Sequence, residues 1–137
     1  MNRQRPGTGD RDRGATAVEF ALLLPVLLFL VCGLIDFGRA LNAQITLTQA
    51  AREGARLAAL GQSNVTSRTQ TAATGLSGVT VTVTACPGGG TAADASVQVS
   101  YRFSFVTPVG AIAALLGGSG PGSSLTLTAK GVMTCEY

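Results

Sequence analysis

Residues 14–35 read GATAVEFALLLPVLLFLVCGLI, and this stretch decides the fold. Its apolar part, residues 15–35, carries a single charged side chain, Glu19. At about 1.5 Å per residue, a helix of this length crosses the roughly 30 Å hydrocarbon core of a bilayer. We therefore expect residues 15–35 to form a transmembrane helix. We expect a kink at Pro25 rather than an end, because neighbouring groups in a membrane protein satisfy the carbonyl that a proline frees.

Residues 1–14 form a hydrophilic leader with a positive net charge. Its arginines outnumber its aspartates, with Arg3, Arg5, Arg11 and Arg13 against Asp10 and Asp12. Arginine on one flank of an apolar run marks the cytoplasmic side. The first charges beyond the run, Asp36 and Arg39, cancel. We therefore expect a cytoplasmic leader, a helix that begins close to Gly14, and export of the chain from about Asp36 onward.

Two other kinds of N-terminal segment also contain an apolar run, the cleaved secretory signal and the lipoprotein signal. A cleaved secretory signal has an apolar region of about 7–15 residues that ends at small residues. The present run is longer, contains an acid, and is followed by Leu41-Asn42-Ala43, which has no small residue at its first position. A lipoprotein site at Cys32 is disfavoured because Val31 before it is too large. A retained anchor, with Cys32 as a small apolar filler, is the expectation.

Composition argues against an enzyme and against a nucleic-acid-binding protein. The 137 residues include no His, the commonest acid–base and metal-ligand side chain. No nucleophile–base constellation is visible in the sequence. The net charge is only +3 and lies mostly in the leader. Arg52 and Arg56 lack the interleaved aromatic residues of a nucleic-acid interface. We expect no catalytic residue, no metal and no cofactor.

Residues 36–61 continue the helix as an amphipathic extension. Apolar and small residues recur there at three- and four-residue spacings, as in Leu41, Ile45, Ala51, Ala55 and Ala58. Gly61 predicts the helix end. The small residues of Ala50–Arg56 allow a close approach of another helix or a sheet, so we interpret that stretch as packing.

Residues 62–137 are expected to form one small exported domain. Ser63–Leu76 is compatible with a short helix capped by Ser63 or Asn64. Alternating segments predict three strands, at Val79–Thr84, Ser96–Val106 and Leu125–Cys135. We place a bulge at Gly131 in the third. The expected fold class is α+β, with the long N-terminal helix packed on a small three-stranded antiparallel sheet. So small a domain is near the lower limit for a self-sufficient core.

Val109–Leu116 is a short apolar segment between Pro108 and the glycine-rich residues 117–123. It is either a helical turn that docks on the core or an exposed contact surface. The sequence leaves both interpretations open.

Cys86 and Cys135 lie at the ends of predicted strands in the exported part, where the compartment is oxidising. A bridge between them would close a loop of about 50 residues and stabilise the domain by about 3–4 kcal/mol in the chain-entropy model. The alternative is two unpaired thiols. We favour the disulfide, because a core this small needs it.

Gly14, Ala15, Glu19 and Phe20 form the pattern on which the functional hypothesis depends. A prepilin-type peptidase cuts after such a glycine at the cytoplasmic face, because a residue without a side chain fits a tight protease site. Cleavage would leave Ala15 as the new N-terminus. Glu19 could then pair with the freed amine of a neighbouring subunit, which offsets the cost of each charge in apolar surroundings. The alternative is that Glu19 lies near the interface and snorkels.

The chain resembles the TadE-like pseudopilins of tight-adherence (Tad/Flp) pili, which are type IV pili. The resemblance rests on four stretches, Gly14–Ala21, Leu24–Leu28, Gly33–Arg39 and Ala50–Arg56. It extends more loosely to the sheet region, in Val97–Phe103 and Met133–Glu136.

This resemblance implies a minor pilin-like component that is needed for pilus assembly and matured by a prepilin peptidase. Its implied partners are that peptidase, the major pilin, other pseudopilins and the assembly platform of the inner membrane. The protein would be anchored once in the bacterial inner membrane, with its C-terminal domain outside the cytoplasm. The alternative function is a permanently anchored envelope module whose sheet domain recognises a surface or a protein, with Val109–Leu116 as its contact.

Overall fold

The computed structural model describes residues 9–87, 93–107 and 124–135 of the chain. Two helices come first, α1 at Gly9–Ala59 and α2 at Val65–Ala72. Three strands follow, β1 at Thr80–Thr84, β2 at Asp94–Ser104 and β3 at Ser124–Thr134. They form one antiparallel sheet in the order β1-β2-β3. The predicted α+β class, a long N-terminal helix on a three-stranded antiparallel sheet, is confirmed.

Helix α1 is continuous over 51 residues and measures about 76 Å at 1.5 Å per residue. It begins at Gly9, before the predicted start near Gly14. One glycine costs a helix only about 1 kcal/mol relative to alanine, which is too little to set its start. The helix continues through Pro25, and the kink there stays a prediction.

The C-terminal end of α1 is a glycine cap. Gly61 has φ of 67°, which suits a residue without a Cβ. Its amide donates to the Ala58 carbonyl and the Gln62 amide donates to the Leu57 carbonyl, both at 3.1 Å. This is the hydrogen-bond pattern of a Schellman motif. Helix α2 follows with Asn64 at its N-cap position, and is shorter than the predicted Ser63–Leu76.

The strands lie along the second part of α1. The Gln44 amide donates to the Thr128 carbonyl at 2.9 Å, and Gly131 lies against Ala51. Between these two contacts the helix advances seven residues, from Gln44 to Ala51, and the strand advances three, from Thr128 to Gly131. Both steps measure about 10 Å and run the same way along the chain, so β3 is parallel to α1. Strand β2 runs the opposite way and ends beside Asp36, close to the apolar run.

The core lies between this part of α1 and the inner face of the sheet. Alternate residues of β2 point into it, and Val97 and Val99 are fully buried. The helix contributes Leu47 and several small residues, which allow the sheet to approach closely: Ala50, Ala51, Ala55 and Ala58. The sheet therefore uses the helix as one wall of its core.

The predicted bulge at Gly131 is wrong. Strand β3 pairs residue by residue with β2 from Ser124 to Thr134, and Gly131 pairs with Val97. A Cβ added at Gly131 would overlap the Ala51 carbonyl group. The glycine is required by the close packing of helix on sheet, and that requirement cannot be seen in the strand's own sequence.

Candidate functional site

The four residues on which the peptidase hypothesis depends lie on the exposed N-terminal part of α1. Gly14, Ala15, Glu19 and Phe20 are all exposed, and an added Cβ at Gly14 would meet no atom within 4 Å. Packing within this fold therefore does not require a glycine there. Glu19 forms no ion pair within the part of the chain that the structure describes.

Every residue from Gly14 to Val31, which includes most of the apolar run, is exposed. Its large side chains, Phe20 and Leu22 among them, are mostly more than half exposed. The helix is long and apolar enough to cross a membrane. Lipid is the solvent that suits such a surface. Cys32, at the end of the run, is a half-buried free thiol.

Asp36 is the first residue after the apolar run, and its side chain is almost completely buried, at 3% exposure. Its carboxylate accepts hydrogen bonds from the backbone amides of Val106, at 3.3 Å, and Thr107, at 3.1 Å. The Thr107 hydroxyl also donates to it. Arg39 completes the set with an ion pair at 3.2 Å. We call these four residues the Asp36 junction.

The electrostatics of this junction favour a charged carboxylate. The Thr107 hydroxyl holds the pKa of Asp36 below its ordinary value of 3.8, and the two backbone amides and Arg39 act in the same direction. Burial opposes them. The Arg39 guanidinium also lies 5.3 Å from the centre of the Phe103 ring, a cation–π arrangement. The end of β2 is thus joined to the first turn of α1 beyond the apolar run.

An apolar groove of about 430 Å³ adjoins the Asp36 junction. On the helix side its lining includes Phe37 and Leu41, and on the sheet side Phe105, Leu125 and Leu127. Phe37 is 63% exposed and Leu125 is 48% exposed. Sequence reasoning did not single out this groove or the junction. The available signal was an acid placed directly after the apolar run.

The stretch Ala50–Arg56 is a packing surface, as interpreted from its small residues. Ala51, Gly54 and Ala55 are buried, and a Cβ at Gly54 would collide with Thr69 of α2. Arg56 forms an exposed ion pair with Glu53 at 2.9 Å. No group of three or more metal-ligating side chains occurs among the described residues.

The two cysteines of the sheet domain are brought together at the other end of the sheet. A disulfide joins Cys86, just after β1, to Cys135, just after β3, with Cα atoms 6.0 Å apart. Both half-buried cysteines pack against the core. The predicted contact segment Val109–Leu116 lies outside the described residues.

One comparison with known proteins gives a match. The family model described as TadE-like protein matches residues 14–56, which begin at Gly14 and end inside α1, three residues before its last residue, Ala59. No curated protein and no solved structure matches the chain. The match covers the exposed apolar run, Asp36 with its ion-pair partner Arg39, and the packing stretch Ala50–Arg56. Residues 14–56 therefore match the TadE-like family, as the resemblance of these residues predicted.

Proposed function

We propose that the protein is a minor pilin-like component for the assembly of a Tad-type pilus. The observation that carries the proposal is the TadE-like match over α1, with Gly14 and Glu19 at the head of its uncovered apolar run. The protein acts as a structural subunit, and its partners are the major pilin, other pseudopilins and the inner-membrane assembly platform.

Orientation in the membrane follows from charge and from the position of the folded domain. The arginine-rich leader stays in the cytoplasm. Residues 15–35 cross the inner membrane, and the sheet domain lies outside the cytoplasm. The disulfide between Cys86 and Cys135 supports this orientation, because such bonds persist in oxidising compartments.

Maturation removes the leader by cleavage between Gly14 and Ala15. Proteases bind extended peptide, and Gly14 lies inside α1, so the first turns of the helix must unwind in the peptidase. No contact with the described part of the sheet domain opposes this, since Gly14 is exposed and has open space around it. A glycine at the cleavage position lowers the free-energy cost of unwinding this part of α1, because glycine is a poor helix former.

Assembly then uses the new N-terminus. Glu19 has no ionic partner in the described part of its own chain, and a carboxylate within an apolar run is costly unless it is paired. The freed Ala15 amine of a neighbouring subunit supplies the missing positive charge.

The test is the N-terminus of the protein from a host that contains the prepilin peptidase. Mass spectrometry is expected to find Ala15 as the first residue. Gly14→Leu should retain the leader, because a bulky side chain does not fit the cleavage position.

Gly38→Leu is the matched control for this experiment. Gly38 also lies in α1 with nothing within 4 Å of an added Cβ, so the same change should leave cleavage intact. An intact leader on the unaltered protein in that host would contradict the proposal.

A further inference from the structure

The apolar groove is the feature that neither the membrane anchor nor the peptidase site accounts for. It lies where the end of the sheet meets α1, beside the Asp36 junction. Phe105 and Leu125 present their side chains there at 37% and 48% exposure, opposite Phe37 and Leu41 of the helix. Val106, in the adjoining turn, is 72% exposed.

The height of the groove relative to a membrane follows from the helix rise. With residues 15–35 in the hydrocarbon core, Phe37 lies about 3 Å and Leu41 about 9 Å beyond the last core residue, Ile35. Each headgroup layer of a bilayer is about 5–8 Å thick. The groove therefore begins just outside the hydrocarbon core and extends across the layer of the lipid headgroups.

Charge at this level also fits a lipid surface. The Arg39 side chain pairs with Asp36 and lies over the Phe103 ring, yet it stays 47% exposed, at the height where lipid phosphates lie. The groove continues directly from the uncovered apolar run of α1. An apolar surface with a partly exposed cation at the same height on the helix suits the membrane interface, where acyl chains give way to charged headgroups.

We propose that this end of the exported domain rests in the interfacial layer of the bilayer, with Phe105 and Leu125 in contact with lipid. The Asp36 junction holds the end of the sheet close to the helix and so presents the two side chains to the membrane. The inference requires that residues 15–35 span the membrane. It does not depend on cleavage at Gly14 or on incorporation into a pilus.

A tryptophan placed in the groove tests the proposal, because the chain contains no Trp of its own. Full-length Leu125→Trp is reconstituted at high dilution into vesicles of phosphatidylcholine and phosphatidylglycerol, with and without bromine on the acyl chains. We expect blue-shifted emission and about a twofold loss of intensity with brominated lipid, as for an indole at the membrane interface.

Met133→Trp is the matched control. Met133 lies on the same strand and the same face as Leu125 and is 42% exposed, against 48% for Leu125. Eight residues separate them, about 26 Å along the strand. Its emission should be that of an indole in water and should be insensitive to bromine.

Equal bromine sensitivity at the two positions would overturn the proposal. A blue shift at Leu125→Trp without quenching would also overturn it, because the groove would then be covered by protein. Formation of the Cys86–Cys135 disulfide checks folding. If Leu125→Trp does not fold, the same quenching measurement is made on Phe105→Trp and compared with Met133→Trp. The vesicles contain no peptidase and no other pilin, so failure here is distinct from failure of the proposed function.

Discussion

Asp36 joins helix α1 to the end of strand β2 through a carboxylate that accepts two backbone hydrogen bonds and one hydroxyl hydrogen bond. Its acceptors are fully used, and Arg39 balances its charge. A buried carboxylate without such partners would be strongly unfavourable. Glu53 has a similar ion pair at the same three-residue spacing, but its side chain is 42% exposed. The comparison shows that burial and backbone donors distinguish the junction from a surface pair.

Lowering the pH should weaken the domain through Asp36. The folded-state pKa is depressed, so its stabilisation is fully present above the pKa of the unfolded chain, about 3.9, and is lost as the pH falls below that value. We expect the unfolding temperature to drop as the pH is lowered below about 4. Asp36→Asn should lower it already at pH 7 and make it less sensitive to acid. Thermal unfolding of the full-length protein in detergent, followed by near-ultraviolet circular dichroism, measures both effects.

Glu53→Gln is the control for this experiment. It removes an acid from an ion pair of the same spacing, and surface pairs contribute little to stability. An acid sensitivity of Asp36→Asn equal to that of the unaltered protein would show that another group controls the transition.

Glycines decide the contact between elements. Gly131 of β3 lies against the backbone of α1 at Ala51, and Gly54 of α1 lies against Thr69 of α2 and Val97 of β2. Neither glycine has a positive φ, so conformational freedom does not explain them. They permit helix and sheet to approach more closely than any side chain would allow.

Gly131→Ala should therefore destabilise the domain. The new methyl group would meet backbone atoms of Ala51, which cannot rotate away, so the sheet must move from the helix. Overpacking of this kind costs about 1–3 kcal/mol. Thermal or denaturant unfolding of the full-length protein measures it.

Gly38→Ala makes the same chemical change where the added Cβ has open space. It should be neutral or stabilise the helix by up to about 1 kcal/mol, because alanine is the better helix former. Equal effects of the two substitutions would contradict the packing explanation of Gly131.

At the scale of the whole molecule, one helix serves two environments. Its first part is uncovered, and its second part is a wall of the sheet domain's core. The domain is held to α1 at one end by the Asp36 junction, and at the other end the Cys86–Cys135 disulfide joins its strand ends. Glu19 lies on the uncovered part, away from all of these contacts.

Glu19→Ala should leave membrane insertion intact and impair pilus assembly. Removing a carboxylate from an apolar run lowers the cost of insertion, which reaches about 2.5–3.5 kcal/mol at the centre of a membrane helix. The same change removes the partner proposed for the Ala15 amine of a neighbouring subunit. Membrane fractionation measures the first effect, and pilus production in a complementation assay measures the second.

Glu19→Asp keeps the charge and should restore part of the assembly lost in Glu19→Ala. Normal pilus production with Glu19→Ala would rule out the charge-pair role, while the TadE-like match would stand.

Regular local patterns account for what sequence reasoning predicted correctly about the elements. The alternation in Val79–Thr84 and Ser96–Val106 placed β1 and β2 to within two residues, because one face of each strand is buried. The same reasoning gave a wrong prediction at Gly131, where no bulge occurs. Its packing partner is Ala51, eighty positions earlier in the chain, so a strand pattern could only suggest a bulge.

Some residues of the candidate site could be found from the sequence, and others only from the structure. Glu19 and Gly14 stand out in the sequence because an acid inside an apolar run and a glycine at its head are local anomalies. The sequence shows Asp36 only as an acid after the apolar run, and its role stays hidden because its hydrogen-bond partner Thr107 is 71 residues away.

By itself the sequence determined that this protein has an apolar run long enough to cross a membrane, with an acid near its N-terminal end. Its residues from Gly14 to Val31 are exposed, so their exposure did not depend on contacts with the described part of the sheet domain. Only the tertiary structure decided how the sheet domain attaches to helix α1. Three features depend on it: the buried carboxylate of Asp36, the glycine at position 131 and the apolar groove. The reason is that each involves residues far apart in the sequence, which only folding brings into contact.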